Sequence, residues 1–201
     1  IEETQTAPVP MLRALQKRTG TAQPIVFVLP GITGSQLTRA DKCIWLDYPR
    51  LLADGLKELH DIAADDVRAS SLVGAYYRGL CEWLADTHEV IPYAYDWRRS
   101  IVDSAARLAT EVEKVLERSA GPVRFVAHGM GGLVVRQLIM DAPELWERVC
   151  AHDDGRLVML GTPNHGTHAT VDALLGTAST VQQLAMLDLE RGLTGVLDVI
   201  Q

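Results

Sequence analysis

A short apolar stretch that runs through a glycine-rich turn into a helix restricts the fold of this chain more than any other feature. Residues 123–127 are mostly apolar, which predicts a short buried strand. Residues 133–140 have the composition of a helix. The letters VAHGMGG at positions 126–132 join the two, and their small side chains let a strand and a helix approach closely. The sequence therefore predicts a sharp strand–turn–helix junction centred on Gly129.

The rest of the chain alternates between stretches typical of strands and stretches typical of helices. A further buried strand is predicted at residues 25–29, and strands are also predicted at residues 90–95 and 156–160. Helices are predicted at residues 11–17, 51–59, 76–84 and 103–118, and a short one begins at Pro143. A loop is expected from the small-residue turn at 30–35 as far as Trp45. Because four strands are connected by helices, we predict an α/β fold with a mainly parallel sheet.

Composition and charge exclude several classes of protein. The 201 residues are 47% hydrophobic and 22% charged, which is ordinary for a globular domain and excludes a disordered or collagen-like chain. The formal net charge is −7 and no cluster of lysine or arginine occurs, so we expect no nucleic-acid partner. Three widely spaced cysteines match neither a disulfide framework nor a zinc site, which makes a reducing compartment the default expectation. We expect neither a signal peptide nor a membrane-spanning stretch, so the localisation is unknown, with the cytoplasm as the default expectation.

Four motifs in one order resemble a known family. They are LPGITGS at 29–35, YDWR at 95–98, AHGMGGLV at 127–134 and LGTPN at 160–164. In this order they are similar to motifs of the lecithin:cholesterol acyltransferase-like lipases of the α/β-hydrolase superfamily, and the resemblance spans residues 25–166. It implies an α/β-hydrolase-like fold, a mainly parallel sheet with helices on both faces, from which the C-terminal strands are expected to be missing.

The resemblance also implies roles for particular residues. Gly129 stands where the family has its serine nucleophile, and the backbone N–H groups of Met130 and Ile32 correspond to the oxyanion hole. Asp96 and Arg98 correspond to a structural pair that braces the end of a strand. A glycine suits the strained turn of a nucleophile elbow better than serine does, since it reaches positive φ without a Cβ penalty. The turn is expected to persist, but the residue at its centre has no hydroxyl group.

A second departure from the family concerns the other catalytic groups. The family carries its acid and its histidine base far downstream of the LGTPN motif, whereas this sequence ends at Gln201. We therefore expect that a longer parent protein, with additional domains or a C-terminal segment, acts on lipid or other carboxylic esters. This chain is expected to be catalytically inactive, and no cofactor and no metal are implied. The alternative is a natural pseudoenzyme that binds an acyl ligand or another protein.

Two further alternatives concern the histidines and the glycines. His128 is expected to make a supporting hydrogen bond, and the pair His165 and His168 is either solvated, capping or part of a metal site. Gly129 and Gly131 also form half of a dinucleotide fingerprint, although Val134 occupies its third small position. Titration with a nucleotide would test this alternative, because a ligand of the folded state raises the melting temperature.

The predicted domain organisation is simple. Residues 1–24 form an N-terminal lead, and residues 25–201 form a single α/β-hydrolase-like domain. Within it, residues 171–201 are either the start of a lid over an acyl groove or an amphipathic helix pair packed on the sheet. Trp45 belongs either to a mobile flap that meets lipid or to the edge of the core.

Overall fold

The structure is a computed structural model that describes residues 9–10, 23–47, 56–60, 66–187 and 192–200. The described residues fall into two compact units. The first contains those of Ile1–Ser35 and Ala69–Thr162, and the second contains those of Gln36–Arg68 and Pro163–Gln201. The predicted division into a lead at 1–24 and one domain at 25–201 stays a prediction.

The described ranges hold eight strands, one short 3-10 helix and seven α-helices. The strands are β1 (Val9–Pro10), β2 (Ile25–Leu29), β3 (Ser35–Arg39), β4 (Lys42–Trp45), β5 (Val67–Leu72), β6 (Glu89–Pro92), β7 (Val123–His128) and β8 (Arg156–Leu160). The helices are α1 (Gly74–Leu84), α2 (Ile101–Arg118), α3 (Met130–Asp141), α4 (Pro143–Cys150), α5 (His168–Leu174), α6 (Ser179–Leu187) and α7 (Gly192–Ile200), with the 3-10 helix at Lys57–Leu59.

A parallel four-stranded sheet forms the centre of the first unit. Its order is β6-β2-β7-β8, and each neighbouring pair is parallel. Strand β2 is buried along its whole length, as its uninterrupted apolar sequence predicts for a strand covered on both faces. The rings of Phe27 and Phe125 stack in register across β2 and β7 with centroids 5.4 Å apart. The predicted α/β fold with a mainly parallel sheet is confirmed.

Helix α2 shows why the helical stretches form where the sequence predicts them. Ser100 precedes the helix and its hydroxyl accepts a hydrogen bond from the Val102 N–H at 3.1 Å, which caps the first turn. Leu108, Val112 and Val115 lie along one face at helical spacing and are buried. The predicted amphipathic helix is confirmed, with a start two residues earlier than expected.

The parallel topology brings the motifs of the sequence to one edge of the sheet. Parallel strands that share a sheet end at the same edge, so the turns that follow β2, β7 and β8 are neighbours. These turns carry Gly31, Gly129 and Gly161. This edge is the candidate site, and the three glycines belong to the first unit.

Several stretches differ from the predicted ones. The expected loop before Trp45 contains an antiparallel hairpin of β3 and β4, in which Leu37 pairs with Trp45. Its tight turn uses positive φ angles at Ala40 and Asp41, and the sequence offers no glycine there that would have signalled it. Trp45 is buried, which favours the core over the flap. Strand β5 was not predicted, and the strand expected at 90–95 spans only Glu89–Pro92.

Two predicted helices concern residues outside the described ranges. The helix expected at 11–17 lies entirely outside the described residues. Of the helix expected at 51–59, the described part forms only the 3-10 turn Lys57–Leu59. The two alternatives for residues 171–201, a lid and a packed helix pair, stay predictions. The described part of that segment is helical in the end of α5, in α6 and in α7.

Strand β8 forms an edge of the central sheet and is widely exposed. Val158, Met159 and Leu160 expose 48%, 37% and 42% of their surface, respectively. Consecutive residues of a strand point to opposite faces, so both faces of β8 are open among the described residues. None of the described helices is long and apolar enough to cross a membrane.

Candidate active site

Gly129 forms the turn between β7 and α3 in a conformation that side chains disfavour. Its φ is 51° and its ψ is −121°, which lies outside the regions that L-residues occupy without strain. The Gly129 N–H donates to the Leu160 carbonyl at 2.9 Å, and the Gly129 carbonyl accepts from the Gly132 N–H at 3.1 Å. These two bonds fix the turn to β8 on one side and to the first turn of α3 on the other.

The space beside Gly129 faces the small-residue turn after β2. A Cβ placed on Gly129 would meet one neighbour within 4 Å, the Cα of Gly31 at 3.4 Å, which is ordinary contact. Ile32 follows Gly31 directly and 54% of its surface is exposed. Neither the N–H of Ile32 nor that of Met130 has a hydrogen-bond partner among the described residues. Two unused backbone donors thus belong to the two turns that meet at position 129.

Buried side chains hold the turn at residues 30–35 at its two ends. Tyr95 donates its hydroxyl proton to the Pro30 carbonyl at 2.8 Å, and burial raises the pKa of Tyr95 so that this donor stays protonated. The fully buried Ser35 accepts from the Tyr95 N–H at 3.1 Å through its hydroxyl oxygen. The Trp97 indole N–H donates to the Ser35 carbonyl at 3.3 Å. The YDWR motif therefore supports the turn that precedes β3.

A second set of contacts reaches the middle of this turn from helix α1. The Gly31 N–H donates to the hydroxyl oxygen of Tyr77 at 2.9 Å, and the same oxygen lies 2.8 Å from Nδ1 of His128. Tyr77 is buried, and desolvation raises the pKa of its hydroxyl, so the group is a neutral phenol. The supporting hydrogen bond expected of His128 is confirmed, and its partner is a tyrosine.

Asp96 and Arg98 form a buried ion pair, as the resemblance implied. Arg98 donates from Nε to Oδ1 at 2.9 Å and from Nη2 to Oδ2 at 2.7 Å. The side chain of Arg98 is 0% exposed and that of Asp96 is 9% exposed. The backbone N–H of Arg98 also donates to Oδ1 at 3.1 Å. This bidentate pair braces the chain directly before Ser100 caps α2, so its role is structural.

The two glycines after Met130 are needed for close packing. A Cβ on Gly131 would lie 2.6 Å from the Pro30 carbonyl oxygen and 2.9 Å from Cβ of Leu29. A Cβ on Gly132 would collide with the side chain of Thr162. The first turn of α3 can therefore approach the end of β2 only because both positions lack side chains.

Substitution of these glycines yields a paired test of the packing. Gly131→Ala is expected to destabilise the protein by about 1–3 kcal/mol, since the new methyl meets backbone that cannot move aside. Gly79→Ala in the exposed part of α1 is the control, because a Cβ there meets nothing within 4 Å. It should stabilise the helix by about 0.5–1 kcal/mol. Urea unfolding of both variants measures the difference, and equal effects would contradict the packing argument.

The structure brings together some predicted site residues and reveals one that the sequence did not single out. The turns that carry Gly129, Met130 and Ile32 lie side by side. His165 is exposed on the segment before α5, and His168 is exposed as the first residue of α5. Within the described ranges no three histidine, cysteine or acidic side chains are grouped as a metal site requires. Tyr77 was missed. A tyrosine on the buried face of a helix needs a hydrogen-bond partner, which is a usable signal, but its partners lie 46 and 51 residues away.

Solved structures support the same fold. The crystal structure of the lipase BlEst2 of Bacillus licheniformis in mature form is similar over 96% of this chain and 60% of that chain, with a TM-score of 0.50 and 16% identity. At this identity the similarity establishes the fold alone. Together with the parallel sheet and its helices, it defines an α/β-hydrolase-like fold.

The family follows from the sequence comparisons. A family model described as lecithin:cholesterol acyltransferase matches residues 67–192, and the chain belongs to this family. The lysosomal phospholipase A and acyltransferase of Canis lupus familiaris is 28% identical over 114 residues, which are 53% of this chain and 27% of that protein. Its counterpart in Mus musculus is 28% identical over 110 residues, 51% of this chain and 26% of that protein. The chain thus spans about a quarter of the length of these curated relatives.

Membership of the family confirms the resemblance drawn from the four motifs. It identifies the chain as a lipase- or acyltransferase-like α/β-hydrolase scaffold. It also favours this interpretation of the VAHGMGG motif over the dinucleotide alternative, because residues 126–132 lie within the matched range.

Proposed function

We propose that this chain is the scaffold of a lipid-ester hydrolase or O-acyltransferase from which the covalent nucleophile has been lost. The observation that carries the proposal is Gly129, held at φ 51° and ψ −121° between a strand and a helix with room at its Cβ position. A strained turn from a strand into a helix is the form that a nucleophile elbow takes, which supports this role for position 129, where the residue has no side chain. The natural substrates of the parent are lipid or other carboxylic esters, with water or an alcohol as the acyl acceptor.

The two unused backbone donors support the proposal that the scaffold belongs to an enzyme of acyl transfer. Acyl transfer passes through a tetrahedral oxyanion, which preorganised N–H groups stabilise. The N–H groups of Ile32 and Met130 belong to the two turns that meet at position 129, and the described residues leave both unpaired. We assign them to the oxyanion hole. Main-chain donors depend on the shape of the turns, so the exchange of serine for glycine leaves them in place.

The covalent step itself has no counterpart in this chain. A serine hydrolase forms an acyl-enzyme through the nucleophile oxygen, after a histidine has taken its proton. Gly129 supplies no oxygen, and Nδ1 of its neighbour His128 is already bonded to Tyr77. The proposal therefore assigns no histidine of this chain to the general base and predicts that the chain does not turn esters over.

A hydrolysis assay tests this inactivity. The purified chain is incubated with phospholipid vesicles and, separately, with long-chain p-nitrophenyl esters, and released fatty acid and p-nitrophenolate are measured. We expect no release above that of a heat-denatured sample. Sustained release at rates typical of lipases would show that the chain has a nucleophile other than residue 129 and would refute the proposal.

The glycine itself favours a second candidate function, that of a pseudoenzyme. Glycine relieves the strain that a serine would carry at this φ and ψ, so the turn is compatible with a stable, non-catalytic protein. Such a protein would bind an acyl ligand or a partner and release it unchanged. A phospholipid with ether bonds in place of its acyl esters, which offers no acyl group to hydrolyse, should then raise the melting temperature, and by more the more tightly it binds.

A further inference from the structure

We propose that Tyr77 is a positioning residue that aligns the two backbone donors at position 129 through one buried hydroxyl group. The inference rests on the proposed function, because it takes the N–H groups of Ile32 and Met130 as the oxyanion hole. Tyr77 lies on helix α1, which none of the four sequence motifs includes, so the proposal adds a residue to the site.

One hydroxyl group serves both turns of the site. The Gly31 N–H donates to the Tyr77 oxygen at 2.9 Å, so the single hydroxyl proton remains for Nδ1 of His128 at 2.8 Å. If Nδ1 were protonated instead, the hydroxyl proton would need another acceptor in a buried place. The network therefore selects the imidazole tautomer that carries its proton at Nε2. Tyr77 is thus a bridge between the end of β7 and the turn after β2.

The bridge ends one residue away from the peptides that carry the donors. The N–H of Ile32 belongs to the peptide bond that follows Gly31, and His128 directly precedes Gly129, whose own peptide bond carries the N–H of Met130. Tyr95 and Trp97 contact Pro30 and Ser35, the ends of the turn. Tyr77 contacts its middle, by accepting from the Gly31 N–H.

The surrounding glycines leave room for this hydroxyl and for little else. A Cβ on Gly34 would lie 2.8 Å from the Tyr77 hydroxyl oxygen, and a Cβ on Gly31 would lie 3.0 Å from Nδ1 of His128. Both positions lack side chains in the stretch PGITG, which keeps the hydroxyl against the backbone. Tyr77→Phe removes the oxygen, leaves the buried Gly31 N–H without its acceptor and frees His128.

The test needs a nucleophile at position 129 that works without a general base. Gly129→Cys provides one, since a thiolate attacks an activated ester unaided. Its sulfur bonds to the carbonyl carbon, the bond to the aryl oxygen breaks, and one equivalent of p-nitrophenolate leaves a thioester behind. The intermediate is an oxyanion, so this rate depends on the two N–H donors. Alkylation of the same thiol by iodoacetamide displaces iodide without an oxyanion and reports only accessibility and thiolate content.

Acylation and alkylation rates are measured for each thiol by peptide mapping, with the exposed Cys150 as an internal reference. We expect Tyr77→Phe in the Gly129→Cys background to slow acylation about 10- to 100-fold and to change alkylation about twofold or less. Tyr76→Phe is the matched control, because that tyrosine is the neighbouring residue on α1 and is exposed. It should change neither rate.

The outcomes separate the inference from the function on which it rests. If the introduced thiol reacts with the ester no faster than Cys150 does, the oxyanion hole is absent and both proposals fail. If it reacts faster but Tyr77→Phe leaves acylation unchanged, the proposed function stands and the positioning role of Tyr77 is refuted. If Tyr77→Phe slows acylation and alkylation equally, Tyr77 is merely structural and the inference is likewise overturned.

A measurement on the chain with Gly129 in place covers the case in which Gly129→Cys does not fold. Nitrogen-15 NMR should show His128 as the Nε2–H tautomer with a hydrogen-bonded Nδ1, and Tyr77→Phe should shift the Nδ1 resonance together with the amide resonances of Ile32 and Met130. Tyr76→Phe should leave these resonances in place. Unchanged amide resonances in Tyr77→Phe would overturn the inference.

Discussion

Serine at position 129 should leave this 201-residue chain without lipase activity, while in a longer reading frame with the family's acid and histidine it should raise turnover by about 10⁶-fold. The reason is that the nucleophile and its base act as one unit, so a hydroxyl without a base is a weak nucleophile. Fatty-acid release from phospholipid vesicles by both Gly129→Ser proteins measures the difference.

A side chain at position 129 also strains the backbone. Any side chain at position 129 must adopt φ 51° and ψ −121°, which should cost about 1–3 kcal/mol of stability. Gly129→Ala carries the same strain without the hydroxyl and is the matched control. It should lose the same stability as Gly129→Ser and stay inactive in either protein. Lipase-like turnover by Gly129→Ser in the 201-residue chain would show that it contains a base that we have not identified.

The second large effect concerns the stability of the buried ion pair. Asp96→Asn removes the negative charge from a carboxylate that holds the fully buried guanidinium of Arg98. Loss of one partner leaves the other charge in a site of low dielectric, so the free energy of unfolding should fall by about 3–5 kcal/mol. The extrapolated free energy from urea unfolding measures this loss.

An exposed pair supplies the control for Asp96. Asp154 and Arg156 approach to 3.1 Å, but their side chains are 53% and 66% exposed. Water screens this pair, so Arg156→Gln should change the stability by about 1 kcal/mol or less. A loss of similar size in Asp96→Asn would mean that the YDWR pair is dispensable for the fold, contrary to its bidentate, buried geometry.

Much of the central sheet could be predicted because its signals are local. Strands β2 and β8 have the predicted bounds, since both are short, largely apolar stretches that end at turn residues. Helix α2 followed from its apolar periodicity and α4 from the proline at its start. The hairpin of β3 and β4 could not be predicted in this way. Its turn has neither glycine nor asparagine. Which strands pair here depends on contacts with the other strands of the sheet, not on the local sequence.

The sequence by itself determined the fold class, the family and the identity of the residue at the strand–helix turn. These depend on short stretches, in which composition and spacing carry the information. Only the tertiary structure decided that Tyr77 joins the two turns, that Trp45 is buried and that the N–H groups of Ile32 and Met130 are unpaired in the described part of the chain. The contacts of Tyr77 join residues 46 and 51 positions apart, and the folding of the whole chain, not the local sequence pattern, selects which distant groups meet.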